Sequence, residues 1–227
     1  MRIGIRESLL VCAICLFGAV GCGGDDASPS ETSSGNAKSS DGGTKSQEPE
    51  RPSHIFPRVV ISTNMGEFVV ELDAEKAPIT VQNFLDYVDE AHYDNTIFHQ
   101  VFGDAIVLGG GFTPDFKRKP ERPAIYNEAD NGLKNLRGTV AMARLPGTID
   151  SATCQFFINT ADNPSFDHQS RDGDPEEYGY CVFGRVVKGM GVIDKLAATD
   201  VADREEGGIE FPSVPTRTVR IDSIRRY

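Results

Sequence analysis

From residue 58 onward, apolar and polar positions are arranged in short runs. Val59-Val60-Ile61-Ser62-Thr63 and Glu67-Phe68-Val69-Val70-Glu71-Leu72 are rich in β-branched residues and flank Asn64-Met65-Gly66, so they predict a hairpin. Pro78 opens a different period. Val81, Phe84, Leu85 and Val88 recur at i, i+3, i+4, i+7 spacing, which predicts a helix ending near Tyr93. Short β-type runs return at 96–101, 105–108, 139–143, 155–159, 181–187 and 218–224, and a second helical pattern covers 191–198. Many short strands, turn residues between them, two helices and no internal repeat predict a mainly β chain. The expected form is a closed antiparallel barrel with helices at its ends.

The front of the chain reads as an address. Arg2 and Arg6 precede an apolar run over 9–20, long enough for a signal core and short for a bilayer span. The run ends Ala19-Val20-Gly21-Cys22, which resembles a bacterial lipobox; an ordinary secretory signal with a chance cysteine is the alternative. On the first reading 1–22 is a lipoprotein signal peptide and Cys22 carries the lipid, each buried CH₂ of which contributes about 0.8 kcal/mol. The protein is then exported and lipid-anchored on the periplasmic or cell-surface face of a bacterial membrane. Gly23 after the cysteine favours the outer membrane where a cell has two. Residues 23–52 contain no Val, Ile, Leu, Met or aromatic side chain and cannot offset their own ordering entropy. Residues 23–57 are therefore expected to be a disordered Ser/Gly/acidic linker with a reach of roughly 30 Å, leading to one domain at 58–227.

Charge narrows the partners. The 227 residues hold 23 Lys+Arg against 34 Asp+Glu, a formal charge of −11, of which 1–52 carry −2. That surplus argues against nucleic acid, which needs clustered cations, and no second long apolar stretch supports further spans. Once Cys12, Cys15 and Cys22 are assigned to the signal and the lipid, Cys154 and Cys181 remain, either bridged or as two buried thiols. His54, His92, His99 and His168 lack ligand spacing, and Gly109-Gly110-Gly111 lacks the Lys-Ser/Thr of a phosphate loop. Asp172-Gly173-Asp174 lacks the ligand ladder of a calcium-binding hand, so neither metal nor cofactor is expected. Lys117-Arg118-Lys119 and the acidic 171–177 loop read as solvated surface.

Specific strings then carry a resemblance. Ala77-Pro78-x-Thr80-Val81-x-Asn83-Phe84-x-x-Tyr87 and Tyr93-Asp94-x-Thr96-x-Phe98-His99 are followed by Gly109-Gly110-Gly111-Phe112. Asn127-Glu128-Ala129-Asp130-Asn131-Gly132-Leu133, Arg137 to Arg144, Ser151-Ala152-Thr153-x-Gln155-Phe156-Phe157-Ile158-Asn159 and Tyr178-Gly179-Tyr180-x-Val182-Phe183-Gly184 continue in order. Over 58–225 the chain resembles the cyclophilins, most nearly the bacterial periplasmic members. The resemblance implies a closed eight-stranded antiparallel cyclophilin-like barrel capped by two α-helices, a monomer, that isomerises Xaa-Pro bonds of proline-containing polypeptides without metal or covalent intermediate. In that family an arginine points at the proline nitrogen and interacts more strongly once amide resonance is broken in the twisted transition state.

Transferred by position, Gln155 is the backbone-reading glutamine, Phe157 the floor of the proline pocket and Tyr180 its wall; Phe166 replaces a smaller apolar residue. Ala143 and Arg144 lie on the strand whose backbone lines the groove. The strand after His99 departs: Gln100 stands at the arginine, Ala105 at a pocket phenylalanine, Ile106 at a methionine and Leu108 at the glutamine that steadies the arginine. A hydrogen bond from a charged group is worth about 1.5–3 kcal/mol against about 1 for a neutral one, so turnover is expected to slow roughly 10- to 100-fold. Two readings follow: a weakened isomerase acting on exported proteins, or a non-catalytic cyclophilin-fold module that binds peptides or a partner. Arg144 swinging toward the groove is a further candidate for the missing cation.

Overall fold

The computed structural model describes residues 55–170 and 172–227; the signal segment, Cys22 and the linker up to 54 lie outside the described residues. β1 (Arg58–Thr63) and β2 (Gly66–Leu72) form the expected hairpin. The Thr63 hydroxyl closes it, accepting from Met65 N at 3.1 Å and donating to Gly66 O at 2.7 Å. The chain is tied down just before β1, because Ile55 O and Pro57 O accept from the Ala74 and Leu72 amides.

Helix α1 (Pro78–Asp89) starts on a proline, whose missing N–H is harmless there, and its N-cap residue Ala77 offers no side-chain acceptor. The acceptor comes from far along the chain. Glu128 takes the Ile79 amide at 3.1 Å, the Thr80 amide at 2.8 Å and the Thr80 hydroxyl at 2.7 Å. A buried carboxylate thus satisfies two free helix donors and meets the positive end of the helix dipole. The helix stops at Asp89, short of Tyr93, and Ala91 just beyond it takes a left-handed φ of 54°. Tyr93 is nevertheless fully buried and donates its hydroxyl to Cys154 O at 2.9 Å.

β3 (Thr96–Phe102), β4 (Ile106–Gly109), β5 (Thr139–Met142), β6 (Phe156–Asn159), β7 (Val182–Lys188) and β10 (Val219–Arg226) complete a closed barrel of eight strands in the order β1-β10-β3-β4-β6-β5-β7-β2. All its pairs are antiparallel. Helix α2 (Met190–Ala197) follows β7 and sends Ile193 and Leu196 into the same interior as Val81, Phe84, Leu85 and Val88 of α1. The mainly β barrel with two helices is as expected.

The sequence pattern missed a second hairpin, β8 (Val201–Glu206) and β9 (Ile209–Pro215), between α2 and β10. β8 has no apolar alternation because both its faces are solvated, and β9 buries only Phe211, Val214 and Pro215. Phe211 and Val214 nonetheless join Ile97 and Phe112 in a cluster on the outer wall of β3.

Strict alternation assigns the two faces of the central strands. Val107, Val140, Met142, Phe156, Ile158 and Phe183 point into the barrel. Leu108, Ala141, Phe157 and Val182 point outward and stand opposite one another across β4, β6, β5 and β7. This outer row carries the site.

Because Glu128 replaces a local cap, its removal should act like cap loss and charged hydrogen-bond loss combined. Glu128→Ala is expected to cost about 2–4 kcal/mol. In urea unfolding this appears as a lower midpoint at unchanged m, and Glu128→Gln should recover part of it. A midpoint unchanged by the alanine would remove this account of α1.

Candidate active site

The register of β3 decides what the site contains. The pairing to β4 slips between Phe98, opposite Gly109, and Gln100, opposite Leu108, a bulge that puts His99 and Gln100 together beneath the β8–β9 hairpin. The His99 ring lies 4.8 Å from Phe112 and 6.4 Å from Phe211. Gln100 is fully buried, and its Nε2 donates to Pro212 O at 3.1 Å. Its Oε1 has no hydrogen-bond partner among the described residues. The amide at the family's arginine position is therefore engaged with β9 and is not presented to the surface.

Ala105, Ile106, Leu108, Phe157 and Phe166 are also at most 2% exposed. Phe157, Phe166 and Tyr180 pack edge to face, with centroids 5.9, 5.5 and 5.2 Å apart. The ring missing at Ala105 has a substitute that sequence transfer overlooked: half-buried Phe102 packs against the same cluster. Its signal was alternation, since it lies two residues from Gln100 on one strand face. Leu133 joins it there from the loop after Asn131.

Beside this closed cluster runs an open groove of ≈ 230 Å³. Five of the transferred positions line it: Leu108, Ala143, Arg144, Gln155 and Tyr180. Arg118, Glu121 and Asp150, which the sequence reading did not assign to a site, also line it. Gln155 O accepts from Ala143 N at 2.9 Å, which fixes the two strand ends. A Cβ at Gly111 would stand 2.6 Å from Gln155 Cγ, so glycine there makes room for the Gln155 side chain.

Arg144 is not available as a swinging cation. Its side chain is 2% exposed; Nε donates to Gly179 O at 3.0 Å and Nη2 to Pro175 O at 2.9 Å, and its guanidinium lies 4.9 Å above the Tyr180 ring. Glu176 holds it at 3.4 Å and also accepts from Gly147 N, so the acidic loop braces an arginine that lines the groove. Of the basic cluster, Lys117 pairs with Asp115 in solvent, whereas Lys119 donates to the His92 and Asp94 carbonyls.

A buried amide chain joins the two sides of the aromatic cluster. Asn163 Nδ2 donates to Ala105 O (3.0 Å) and Asn159 Oδ1 (2.8 Å), and Asn159 Nδ2 to Asn135 Oδ1 (3.2 Å). Asn135 Nδ2 then reaches Phe166 O at 3.1 Å. Cys154 and Cys181 are free and buried, and burial pushes both thiols up to about 12. No group of three or more His, Cys, Asp or Glu side chains among the described residues stands together as a metal site.

Comparison with known proteins gives the class. Residues 58–226 match the family described as cyclophilin type peptidyl-prolyl cis-trans isomerase/CLD. Peptidyl-prolyl cis-trans isomerase A of Dickeya dadantii is 47% identical over 167 residues, covering 74% of this chain and 83% of its own length. Peptidyl-prolyl cis-trans isomerase B of Escherichia coli is 47% identical over 168 residues, covering 73% and 97%. A crystal structure of a cyclophilin-type isomerase from Cryptosporidium parvum superposes with a TM-score of 0.60 at 23% identity, over 76% of this chain and 98% of that one, and shares the fold. The chain belongs to the cyclophilin-type peptidyl-prolyl cis–trans isomerases.

Burial under β9 has a measurable consequence at His99, whose ring desolvation pushes down to about 3. The unfolded chain takes up this proton near pH 6.5 and the folded one does not, so stability is full above about pH 6.5 and falls as pH drops toward 3. Between those two values the loss approaches about 1.4 kcal/mol per pH unit. His92, also lowered by desolvation first, adds in the same direction. Urea midpoints measured between pH 7 and pH 5 should decline, and His99→Phe should flatten the slope; an equal slope in the variant would refute the assignment.

Proposed function

We propose that the protein is a slow peptidyl-prolyl cis–trans isomerase for Xaa-Pro segments of exported polypeptides. A lipid on Cys22 holds it as a monomer at a bacterial membrane, with residues 23–54 as the tether. The observation that carries the catalytic half is the contrast between Gln155 and Tyr180, which line an open groove, and Gln100, whose amide is buried against Pro212 O. The groove retains side chains that read a peptide, while the donor that should follow the proline nitrogen is neutral and already bonded. To act, the Gln100 amide must leave Pro212 O, and even then it donates without a formal charge. The membrane half rests on Arg2, Arg6, the apolar 9–20 run and Cys22.

A second reading, a binding module without turnover, is favoured by one feature: Phe157 and Phe166 are at most 1% exposed, so a proline ring needs the Phe166–Tyr180 side to open before it can be seated.

Exchange NMR on Xaa-Pro peptides mixed with the mature full-length chain separates the readings. The expected result is peptide-dependent shifts together with cis–trans exchange about 10- to 100-fold slower than an arginine-bearing relative gives, raised by Gln100→Arg and lost with Gln155→Ala. Shifts without exchange identify the binding module, and an absence of both overturns the groove itself.

A further inference from the structure

The groove does not end at Gln155. A second open groove of ≈ 580 Å³ runs between the first turns of α1 and the 122–125 segment, with Pro78, Ile79, Gln82, Pro123 and Ile125 among its walls. Ala124 lines both grooves. The floor between them is fixed by short bonds. Asn83 of the second groove donates to the carbonyl of Thr153 in the first at 2.7 Å, and Ile125 N donates to Ala152 O at 3.0 Å. At the rim Arg122 is held by Asp86 at 2.9 Å, and its amide donates to the Tyr87 hydroxyl at 2.7 Å.

Among its polar and charged walls this track also exposes large apolar side chains. Ile79 is 45% exposed in the second groove and Leu145 is 41% exposed in the first. Neither is needed for the core, and Ile79 occupies the helix turn whose amides Glu128 immobilises. Large apolar side chains held rigidly in solvent along a continuous furrow mark a contact surface.

We propose that the two grooves form one track for an extended, unfolded polypeptide. The Xaa-Pro element lies at the Gln155 end, and an apolar side chain several residues away packs against Ile79 and Pro123. An extended chain suits the site because the second groove continues the first and is edged by Arg122 and Asp86 already paired with each other, which leaves shape and apolar contact as the selecting chemistry at the Ile79 end. The proposal rests on the peptide-binding reading of the Gln155 groove and adds to it a preference for long unfolded segments over isolated proline turns.

The test is a length series on the mature full-length chain. Affinities are measured for an Xaa-Pro peptide of about four residues and for peptides of about twelve, extended at either end and carrying one leucine, at about 3.3 Å per extended residue. One of the two extensions should bind about tenfold tighter than the short peptide. The ratio of long to short affinity within each protein is the readout, and it should fall to about one in Ile79→Gln and, independently, in Pro123→Ser. Both positions are on the surface, so loss of fold is not expected. A ratio near one in the unaltered protein, or one that survives both substitutions, overturns the track. So does concentration-dependent self-association that the substitutions abolish, since the occupant would then be a second copy. Binding of long peptides alone, abolished by Ile79→Gln, keeps the track and overturns the short-peptide groove; no binding by any peptide overturns both.

Discussion

Four strands of this barrel have to bury both of their faces, and the rest of the site follows from how the outer face is covered. Inside, Val107, Val140, Phe156 and Ile158 close on α1 and α2. Outside, Leu108, Ala141 and Phe157 form a row that neither α1 nor α2 covers. A strand buried on both sides has to find an outer partner for every apolar residue. Phe166, Tyr180 and Phe102 cover one end of that face, and the β8–β9 hairpin covers the other through Phe211 and Val214. Between the two coverings remains the furrow lined by Gln155 and Ala143. The groove is thus what is left uncovered on a sheet otherwise buried on both faces.

The holding interactions are mostly polar and buried. Glu128 and the Asn135–Asn159–Asn163 chain connect segments far apart in sequence without placing a charge in the groove. Each such group would cost stability if left unpaired, so each specifies one arrangement of the loops it joins. Arg144 plays the same part with a charge: the Gly179 and Pro175 carbonyls and the Tyr180 ring take up its guanidinium. A cation that looks catalytic in sequence is spent on shaping the wall.

The barrel was legible because short β-branched and apolar runs between turn residues mark its eight strands, and α1 because its helical stripe is unambiguous. The β8–β9 hairpin was not, since Val201 to Glu206 is polar on both faces and gives no period to read. Missing it also hid the fate of Gln100. From sequence, position 100 is a substitution within an open groove; in three dimensions it lies under Pro212, which is 112 residues away along the chain. Phe102 was overlooked for a related reason. Transfer by motif position registers the phenyl lost at Ala105, whereas alternation along β3 shows a ring three residues earlier entering the same cluster. Arg144 reads from sequence as a groove residue, and only its partners reveal that it is engaged.

A glutamine at position 100 and the seating of β9 suit each other physically. A guanidinium at the fully buried position of Gln100 would surrender its hydration for a single carbonyl, and burying an ion with so little compensation costs several kcal/mol. A neutral amide loses far less, makes one hydrogen bond to Pro212 O and tolerates an idle Oε1. Leu108, standing opposite Gln100 across the β3–β4 pair, is consistent with this, because with no guanidinium to steady, an apolar side chain gains more from the outer cluster than a second amide would. An arginine at position 100 therefore has to drive Pro212 away or turn out toward Gln155. In either case the charge weakens the seat of the hairpin, so at this position a cation and burial of the outer wall compete for the same side chain.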